Sequence, residues 1–257
     1  MIGPIIYLLL CFVSYKYIIT RIIYFCKLYY ISFVNDSTFI ILTSYVDCMC
    51  KIDSFIINLI PNVMHVSVNN LTNIEHLVPF YKLINNSKRK NVDILINMNG
   101  SRSIIAHYIS KYVLALQKYK TVNAYIPYFA YSGGSYIAMY CTNLFMDKYA
   151  QMSPFDLMSK KHNKNISVNT MDTMSDVLSD EEKLGLLELK KIYNWDVELF
   201  NEHFKNNLRK DDMFDKFLSG KHPHSAIFNY DDVKSFGVDI KGFVPENIID
   251  VAQFFLH

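Results

Sequence analysis

The sequence predicts an α/β domain with a mainly parallel sheet covered by helices. Short apolar strands alternate with helical segments at close intervals between Ser37 and Phe145, which is the pattern of parallel strands joined by crossover helices. The chain has 257 residues and is 51% hydrophobic, so it can bury a substantial core. We expect the folded domain to cover residues 35–257, behind a hydrophobic segment formed by residues 1–34.

The N-terminal segment is apolar enough to suggest a membrane anchor. Residues 2–15 are uncharged, but about 14 residues fall short of the roughly 20 that span a bilayer. Extending the helix to Phe33 reaches that length and includes three basic residues that can snorkel, Lys16, Arg21 and Lys27. No small-residue cleavage site is evident. We expect a retained single-pass anchor with the domain in the cytosol. The alternatives are a buried helix and an amphipathic helix lying on the membrane surface.

Composition and cysteine spacing argue against several other classes of protein. A formal net charge of +2 gives no indication of a nucleic-acid partner. The sequence has no P-loop and no dinucleotide fingerprint, so we expect no nucleotide cofactor. Its five cysteines, including Cys48-x-Cys50, match no zinc pattern. We expect free thiols in a reducing compartment, no metal site and no cofactor.

In the first half of the chain, apolar patterning and start signals define alternating elements. The patterning predicts strands over 37–46, 65–68 and 93–97, a helix from Asn70 or Thr72 to Leu83, and a helix over 103–116. Asn99-Gly100-Ser101 forms the turn after the third of these strands.

The second half begins with an extended segment over 121–130 and a helix over 136–145. We expect residues 160–176 to form a polar loop. A capping box of Ser179 and Glu182 starts a long helix, followed by short helices over 214–218 and 231–235. The apolar spacing of the long helix predicts a buried face formed by Leu184, Leu187, Ile192, Trp195 and Leu199.

The central feature is the stretch Tyr131-Ser132-Gly133-Gly134-Ser135, which lies between a strand and a helix. Its glycines allow a substrate and neighbouring backbone to approach closely. The Gly133 N–H lies in the first helical turn and has no helical partner, so it can provide half of an oxyanion hole beside Ser132. A tight turn without chemistry is the alternative.

The turn at Asn99-Gly100-Ser101 ends the preceding strand. In a parallel sheet both turns lie at the same edge, where ligands bind. Their backbone N–H groups could therefore converge on one carbonyl oxygen, an arrangement that suits acyl transfer by a serine nucleophile.

Three ordered blocks resemble the serine dehydrogenase proteinase family. These blocks are D-I-L-I-N-M-N-G-S, then V-N-A-Y-I-P-Y-F-A-Y-S-G-G-S-Y-I-A-M, and then M-D-K-Y-A-Q-M-S-P-F-D. The segments at 220–227 and 232–238 are similar to the end of the family pattern. The family has a Clp-protease/crotonase-like fold, a repeated ββα/βαβ spiral, and is related to signal peptide peptidase A. The resemblance covers roughly residues 37–240.

The resemblance implies roles for particular residues. Ser132 matches the nucleophile, and Gly133 with the Gly100–Ser101 turn matches the oxyanion-hole backbone. Asp156 and His224 match the acid and the histidine. Three family positions differ: a glycine of the first turn is absent, Ser153 replaces a glycine, and Ser225 replaces an acid.

Several other residues compete for the role of base or have ordinary explanations. Lys183 is a second candidate base, because signal peptide peptidases use a Ser-Lys dyad. The adjacent acids at 180–182 favour its charged form, so we favour His224. We expect His107 and His203, on predicted helices, to be structural or exposed.

These observations predict a membrane-anchored serine peptidase-like hydrolase that acts on peptides or membrane proteins. The resemblance also implies a homo-oligomer, for which the long helix around Trp195, Leu199 and Phe204 is a candidate contact. The alternatives are a catalytically inactive membrane scaffold of the same fold and an acyl-CoA-processing crotonase relative. The serine at position 132, in the strand-to-helix turn formed by residues 131–135 (the elbow), argues against the crotonase.

Overall fold

A computed structural model describes residues 19–43, 61–67, 71, 73–161, 164–174, 176 and 178–253. The first half contains α1 (19–34), β1 (Ser37–Thr43), β2 (Val63–Ser67), α2 (Val78–Asn86), β3 (Asn91–Asn97), α3 (Ser103–Leu116), β4 (Thr121–Ile126), β5 (Phe129–Ala130) and α4 (Gly133–Met139). The second half contains β6 (Asn143–Met146), β7 (Gln151–Met152), β8 (Met158–Lys161), β9 (Lys164–Ser167), α5 (Val168–Thr173), α6 (Asp180–His203), α7 (Lys210–Phe217), β10 (Phe228–Asn229), α8 (Tyr230–Ser235), β11 (Ile240–Gly242) and α9 (Glu246–Gln253). A 3₁₀ helix over Ile74–Leu77 precedes α2.

A six-stranded parallel sheet forms the centre of the domain, with strand order β11-β6-β4-β3-β1-β2. Strand β4 is followed by the short strand β5, and β6 is followed by the short strand β7. These two short strands pair with each other, and β7 also pairs with β10, in a second sheet of order β10-β7-β5. Strands β8 and β9 pair as a separate antiparallel hairpin. The predicted mainly parallel α/β architecture is therefore confirmed.

The sheet is covered on both faces. On one face, buried residues of α2, α3, α4, α6 and α7 form the larger core cluster with the central strands. On the other face, α1 and α9 pack against side chains such as Phe39, Ile41 and Leu95. Because a strand alternates its side chains between faces, consecutive residues of β1 contribute to different cores, and the seven residues of this strand are all buried.

The structure bears on the predicted anchor only in part, because residues 1–18 lie outside the described residues. Helix α1 buries Tyr24, Leu28 and Ile31 against the sheet and exposes Ile22 and Tyr30. Within the described ranges, we find no helix with the length and apolar character that a membrane span requires. Cys48 and Cys50 also fall outside these ranges, whereas Cys26 and Cys141 are free thiols.

Two local predictions in the middle of the chain are wrong. The segment predicted as one helix over 136–145 ends its helix at Met139, and Asn143–Met146 instead forms β6 between β4 and β11. The segment predicted as a polar loop contains the β8–β9 hairpin and α5. The first error has a long-range cause, because β6 pairs with strands more than 15 residues away on either side, whereas the β8–β9 hairpin is local and its polar composition concealed it.

The predicted buried face of the long helix is also wrong in part. Leu184, Leu187 and Trp195 are exposed, at 64%, 57% and 49%. The buried side chains of α6 are instead Leu186, Asp196 and Phe200. The predicted capping box is confirmed, because Ser179 N donates to Glu182 Oε2 at 2.8 Å and Glu182 N donates to Ser179 Oγ at 3.3 Å.

A buried histidine at the edge of the sheet predicts a loss of stability in acid. His65 is 5% exposed, and its Nε2 lies 2.8 Å from Thr43 Oγ1. Burial lowers the pKa of His65 from 6.5 to about 4. Above pH 6.5 the histidine is neutral whether the chain is folded or unfolded. Below it, the unfolded chain binds a proton that the folded chain excludes, so the free energy of unfolding decreases as the pH falls towards 4.

We expect protonation of this one histidine in the unfolded chain to lower the free energy of unfolding by about 2 kcal/mol between pH 7 and pH 5. Urea unfolding of His65→Gln should show a correspondingly smaller pH dependence than the wild type. The exposed His76→Gln variant is the matched control and should keep the wild-type dependence. An unchanged dependence in His65→Gln would contradict the assignment.

Candidate active site

The strand ends that carry the two predicted turns are joined directly. Met98 N donates to Phe129 O at 3.2 Å, and Tyr131 N donates to Met98 O at 2.9 Å. These bonds hold the turn after β3 beside the turn after β5. The position of both turns at one sheet edge, expected from the strand–helix alternation, is therefore present in the structure.

Ser132 has a strained backbone conformation between β5 and α4. Its φ of 50° and ψ of −116° are unusual for a residue with a side chain, and such strain clusters at functional sites. Ser132 N donates to Ser153 Oγ at 2.8 Å, and Gly134 N donates to Tyr131 O at 2.8 Å. The bond from Ser132 holds its backbone against the loop that follows β7.

Ser153 therefore has a role that the sequence did not reveal. Its backbone N donates to Ser135 Oγ at 3.0 Å while its own hydroxyl accepts from Ser132. The family pattern has a glycine at this position, which could not make the side-chain bond. The departure at Ser153 thus supplies an additional bond to the elbow.

Glycine is required at two positions because the turns approach each other so closely. Gly100 has a φ of 130°, and a Cβ atom placed on it would lie 3.1 Å from Ser132 Cβ and 3.5 Å from Ser132 Oγ. A Cβ on Gly133 would collide with Ser101 Oγ and lie 3.1 Å from Ser101 N. The four residues predicted for the nucleophile and the oxyanion hole are therefore close neighbours.

The Gly133 N–H is available to a ligand. It donates no hydrogen bond to any residue that the structure describes, as expected for the first residue of a helix. A small cavity borders this group and is lined by polar residues that include Ser101, Ser103 and Ser132. A carbonyl oxygen placed there could accept from the backbone donors.

Asp156 and His224 form the second predicted part of the site. Asp156 Oδ1 accepts from His224 Nδ1 at 2.8 Å, and the side chains are 2% and 27% exposed. Phe155 N donates to Phe217 O at 2.8 Å and fixes this loop against α7. Asp156 Oδ2 is buried and has no hydrogen-bond partner among the described residues.

The acid–histidine pair borders an open cleft of about 500 Å³. The cleft is lined by β8, β9, α5 and the loop that follows α7, including Ser167, Thr170 and His222. Ligand sites are commonly concave spaces of this size with a few polar groups. The cleft is therefore large enough to hold part of a bound peptide.

The structure does not join the predicted nucleophile to the predicted base. Within the described chain, the Ser132 hydroxyl makes no hydrogen bond to His224. Ser132 lines the small cavity and His224 lines the cleft, and the consecutive residues Phe155 and Asp156 border one each. Catalytic hydrogen bonds are often long or misaligned without substrate.

Lys183 lies in the first turn of α6 and borders neither space. Its side chain is 47% exposed, and its Nζ lies 3.9 Å from Asp180 Oδ1. A lysine that acts as a base needs burial to favour its neutral form. The environment of Lys183 does not provide that burial.

A buried network next to Ser132 was not predicted from the sequence. Asp196 Oδ1 accepts from His107 Nδ1 at 2.7 Å and from Tyr136 Oη at 2.7 Å. Burial raises the pKa of Tyr136, and the nearby Tyr140 and Asp196 raise it further, so its hydroxyl remains a donor. The expectation that His107 is structural or exposed gave no indication of this partner.

His203 is half-buried against the Tyr140 ring, and burial lowers its pKa.

A family profile described as "ClpP-like SDH-type serine proteinase" matches residues 35–256, almost the whole chain. The chain belongs to this family. The resemblance inferred from the ordered sequence blocks is therefore confirmed, together with a ClpP-like fold for the SDH-type serine proteinase domain.

Two curated proteins of Methanocaldococcus jannaschii are similar to this chain, the uncharacterized proteins MJ1495 and MJ0137. Each is 23% identical to the chain, over 169 and 175 residues respectively. The matches cover 64% and 65% of this chain but only 56% and 59% of the two relatives. The chain thus aligns with little more than half the length of either.

Two solved structures of the 1510-N membrane-bound stomatin-specific protease are also similar. A serine-to-alanine mutant aligns with a TM-score of 0.48 and 11% identity, over 82% of this chain and 81% of that chain. A lysine-to-alanine mutant in complex with a substrate peptide aligns with a TM-score of 0.47 and 11% identity, over 80% and 74%.

Proposed function

We propose that this protein is a serine peptidase that cleaves peptide bonds with Ser132 as the nucleophile. The observation that carries the proposal is the strained Ser132 backbone, packed against Gly100 and beside the unbonded Gly133 N–H. Ser132 is half-buried, and backbone strain at a serine between a strand and a helix is typical of nucleophile elbows. Membership of a serine proteinase family supports the same reaction class.

In the proposed mechanism, His224 removes the Ser132 proton as Oγ attacks the peptide carbonyl. Asp156 holds the imidazole by accepting from Nδ1, so Nε2 is left as the acceptor. Backbone N–H groups of Gly133 and the Gly100–Ser101 turn stabilise the oxyanion. His224 then donates its proton to the leaving amine, and the acyl group remains on Oγ until water hydrolyses it.

Peptide binding has to bring Ser132 and His224 together. The open cleft borders His224 and Asp156, whereas the small cavity borders Ser132 and Phe155. We infer that a peptide bound along the cleft draws the histidine towards Ser132. The missing hydrogen bond is also the one observation that favours the alternative function, a catalytically inactive scaffold of the same fold.

A peptide-cleavage assay distinguishes a serine peptidase from an inactive scaffold. The purified full-length protein should cleave members of a fluorescence-quenched peptide mixture, and a fluorophosphonate should abolish that cleavage. An inactive scaffold would neither cleave the peptides nor react with the fluorophosphonate. An acyl-CoA-processing enzyme would instead convert an acyl-CoA thioester and leave the peptides intact.

We also propose that residues 1–34 attach the protein to a membrane, with the domain on the cytosolic side. The apolar stretch 2–15 and the exposed apolar side chains of α1, Ile22, Ile23 and Phe33, support this attachment. The protein should stay in the membrane fraction through high-salt and carbonate washes. Its release by either wash would contradict an inserted anchor.

A homo-oligomer is a further proposal, supported by the large apolar side chains that α6 exposes. Leu184, Leu187 and Trp195 project from one side of this helix, whereas Phe204 packs on the core. Exposed apolar patches often mark protein interfaces. Light scattering in mild detergent measures the molar mass of the particle, and an active monomer would refute the proposed homo-oligomer.

A further inference from the structure

A second open groove lies between α3 and α6, apart from the proposed catalytic residues. Its volume is about 390 Å³, which is within the usual range of ligand sites. The described residues that line this α3–α6 groove line neither the Ser132 cavity nor the cleft beside His224. The proposed cleavage of peptides uses none of their side chains, so the groove is free for another role.

Trp195 gives the groove an aromatic wall. It is the one tryptophan of the chain and is 49% exposed. Its ring lies beside the His107 ring, with 6.1 Å between the two ring centroids, and the half-buried Leu199 lines the groove one helical turn further on. The open face of an indole ring attracts a cation that lies over it.

Two carboxylates follow Trp195 on the same side of α6. Glu198 and Glu202 lie three and seven residues after it, a spacing that places all three side chains on one face of the helix. Both carboxylates are exposed, and neither makes an ion pair or a hydrogen bond with another described residue. Like charges at this spacing repel each other. The lining also contains Lys111, so one positive charge faces two negative charges and the groove favours a cation.

A buried histidine gives a second and independent indication of a ligand. The His107 side chain is 6% exposed, and its Nδ1 donates to Asp196 Oδ1 at 2.7 Å. With the proton on Nδ1, the other ring nitrogen, Nε2, is an acceptor. Nε2 makes no hydrogen bond within the described ranges, and His107 borders the groove. Because the Nδ1 edge of the ring is turned towards Asp196, the Nε2 edge is the one that a group in the groove can reach.

We propose that the α3–α6 groove binds an arginine side chain of a peptide segment. A guanidinium has five N–H donors and no acceptor, and the groove offers it acceptors, namely two carboxylates and His107 Nε2. The planar group can stack on Trp195 while it pairs with a carboxylate through two N–H groups, which the ammonium of lysine cannot do. This binding does not need the Ser132 nucleophile, so a protein without peptidase activity would still show it.

The fluorescence of Trp195 measures this binding directly, because the chain has no other tryptophan. Full-length protein carrying Ser132→Ala, which cannot cleave the ligand, is titrated with a blocked pentapeptide of four alanines around a central arginine. The matched ligand carries citrulline, which keeps the shape of arginine and removes its charge. We expect a saturable change in emission with the arginine peptide and binding at least about tenfold weaker with the citrulline peptide.

Opposite changes of charge in the groove should have opposite effects on binding. Replacing both carboxylates, by Glu198→Gln with Glu202→Gln, should weaken binding of the arginine peptide at least about tenfold. Lys111→Gln should instead strengthen it about threefold, because that variant removes a cation that repels the ligand. Glu188→Gln is the matched control, since this exposed carboxylate lies on the same helix and does not border the groove. It should leave the affinity unchanged.

Three results would overturn the arginine site: no change in emission with the arginine peptide, equal binding of the citrulline peptide, or unchanged affinity in the double glutamine variant. Trp195 also belongs to the apolar side chains proposed for the homo-oligomer, but Leu184 and Leu187 lie about two helical turns or more away and do not border the groove. Emission that varies with protein concentration and not with the peptide would assign the groove to a second copy of the chain, and would also overturn the arginine site.

Discussion

Ser132→Ala should reduce peptide hydrolysis at least about a thousandfold while leaving the fold intact, because no other group can form the acyl-enzyme. The hydroxyl makes no hydrogen bond within the described residues, so its removal should change the free energy of unfolding by less than about 1 kcal/mol. The backbone bond to Ser153 does not involve the side chain and remains. Peptide cleavage and thermal unfolding of the purified variant measure the two effects.

The matched control is Ser235→Ala, which removes an exposed hydroxyl at the end of α8. It should retain wild-type cleavage. If Ser132→Ala cleaves peptides as well as Ser235→Ala does, the serine nucleophile is refuted. If Ser132→Ala fails to unfold cooperatively, a loss of activity would report on folding, and the labelling of the wild type then decides.

The second large expected effect is the loss of cleavage when the proposed base, His224, is removed. His224→Ala should lower the rate of cleavage by about a hundredfold or more, within the range for general base catalysis. Its Nδ1 is held by Asp156 at 2.8 Å, the arrangement that leaves Nε2 free to accept the serine proton. Lys183→Ala should keep the wild-type rate, since that side chain is 47% exposed beside Asp180.

Measuring the two variants side by side makes each the control for the other. Both are alanine substitutions of partly exposed side chains, so neither should disturb the core. A loss confined to Lys183→Ala would establish a Ser-Lys dyad and contradict the role of His224. Full activity in both variants would mean that neither His224 nor Lys183 is the base that activates Ser132.

Local signals in the sequence predicted the elbow and its partner turn. The helix over Ser103–Leu116 and the capping box of Ser179 and Glu182 depend on neighbours in sequence, and both are present in the structure. The helix and the cap could be predicted because short-range chemistry determines them. The glycines at 100 and 133 are visible in the sequence as turn residues, but the need for them comes from the packing of one turn against the other.

The burial of Asp196 shows why the buried face of α6 and the network beside Ser132 could not be predicted from the sequence. An acidic residue on a helix is normally exposed, and the spacing of apolar residues such as Leu184 and Trp195 predicted that they, and not Asp196, formed the buried face. The burial of Asp196 depends on Tyr136 and His107, which lie 60 and 89 residues away in the chain. No spacing rule connects residues so far apart. The same limit explains β6, whose pairing with β4 competes with a plausible local helix.

The reactivity of the Ser132 hydroxyl is the most direct test of the proposed nucleophile. The wild-type protein is incubated with a fluorophosphonate, and the site of modification is mapped by peptide mass spectrometry. We predict a single adduct on Ser132, formed faster than on any other serine because the elbow and the oxyanion donors stabilise the same charge that develops during peptide cleavage. An absence of adduct, or an adduct on a different serine, would contradict the assignment of this residue as a nucleophile.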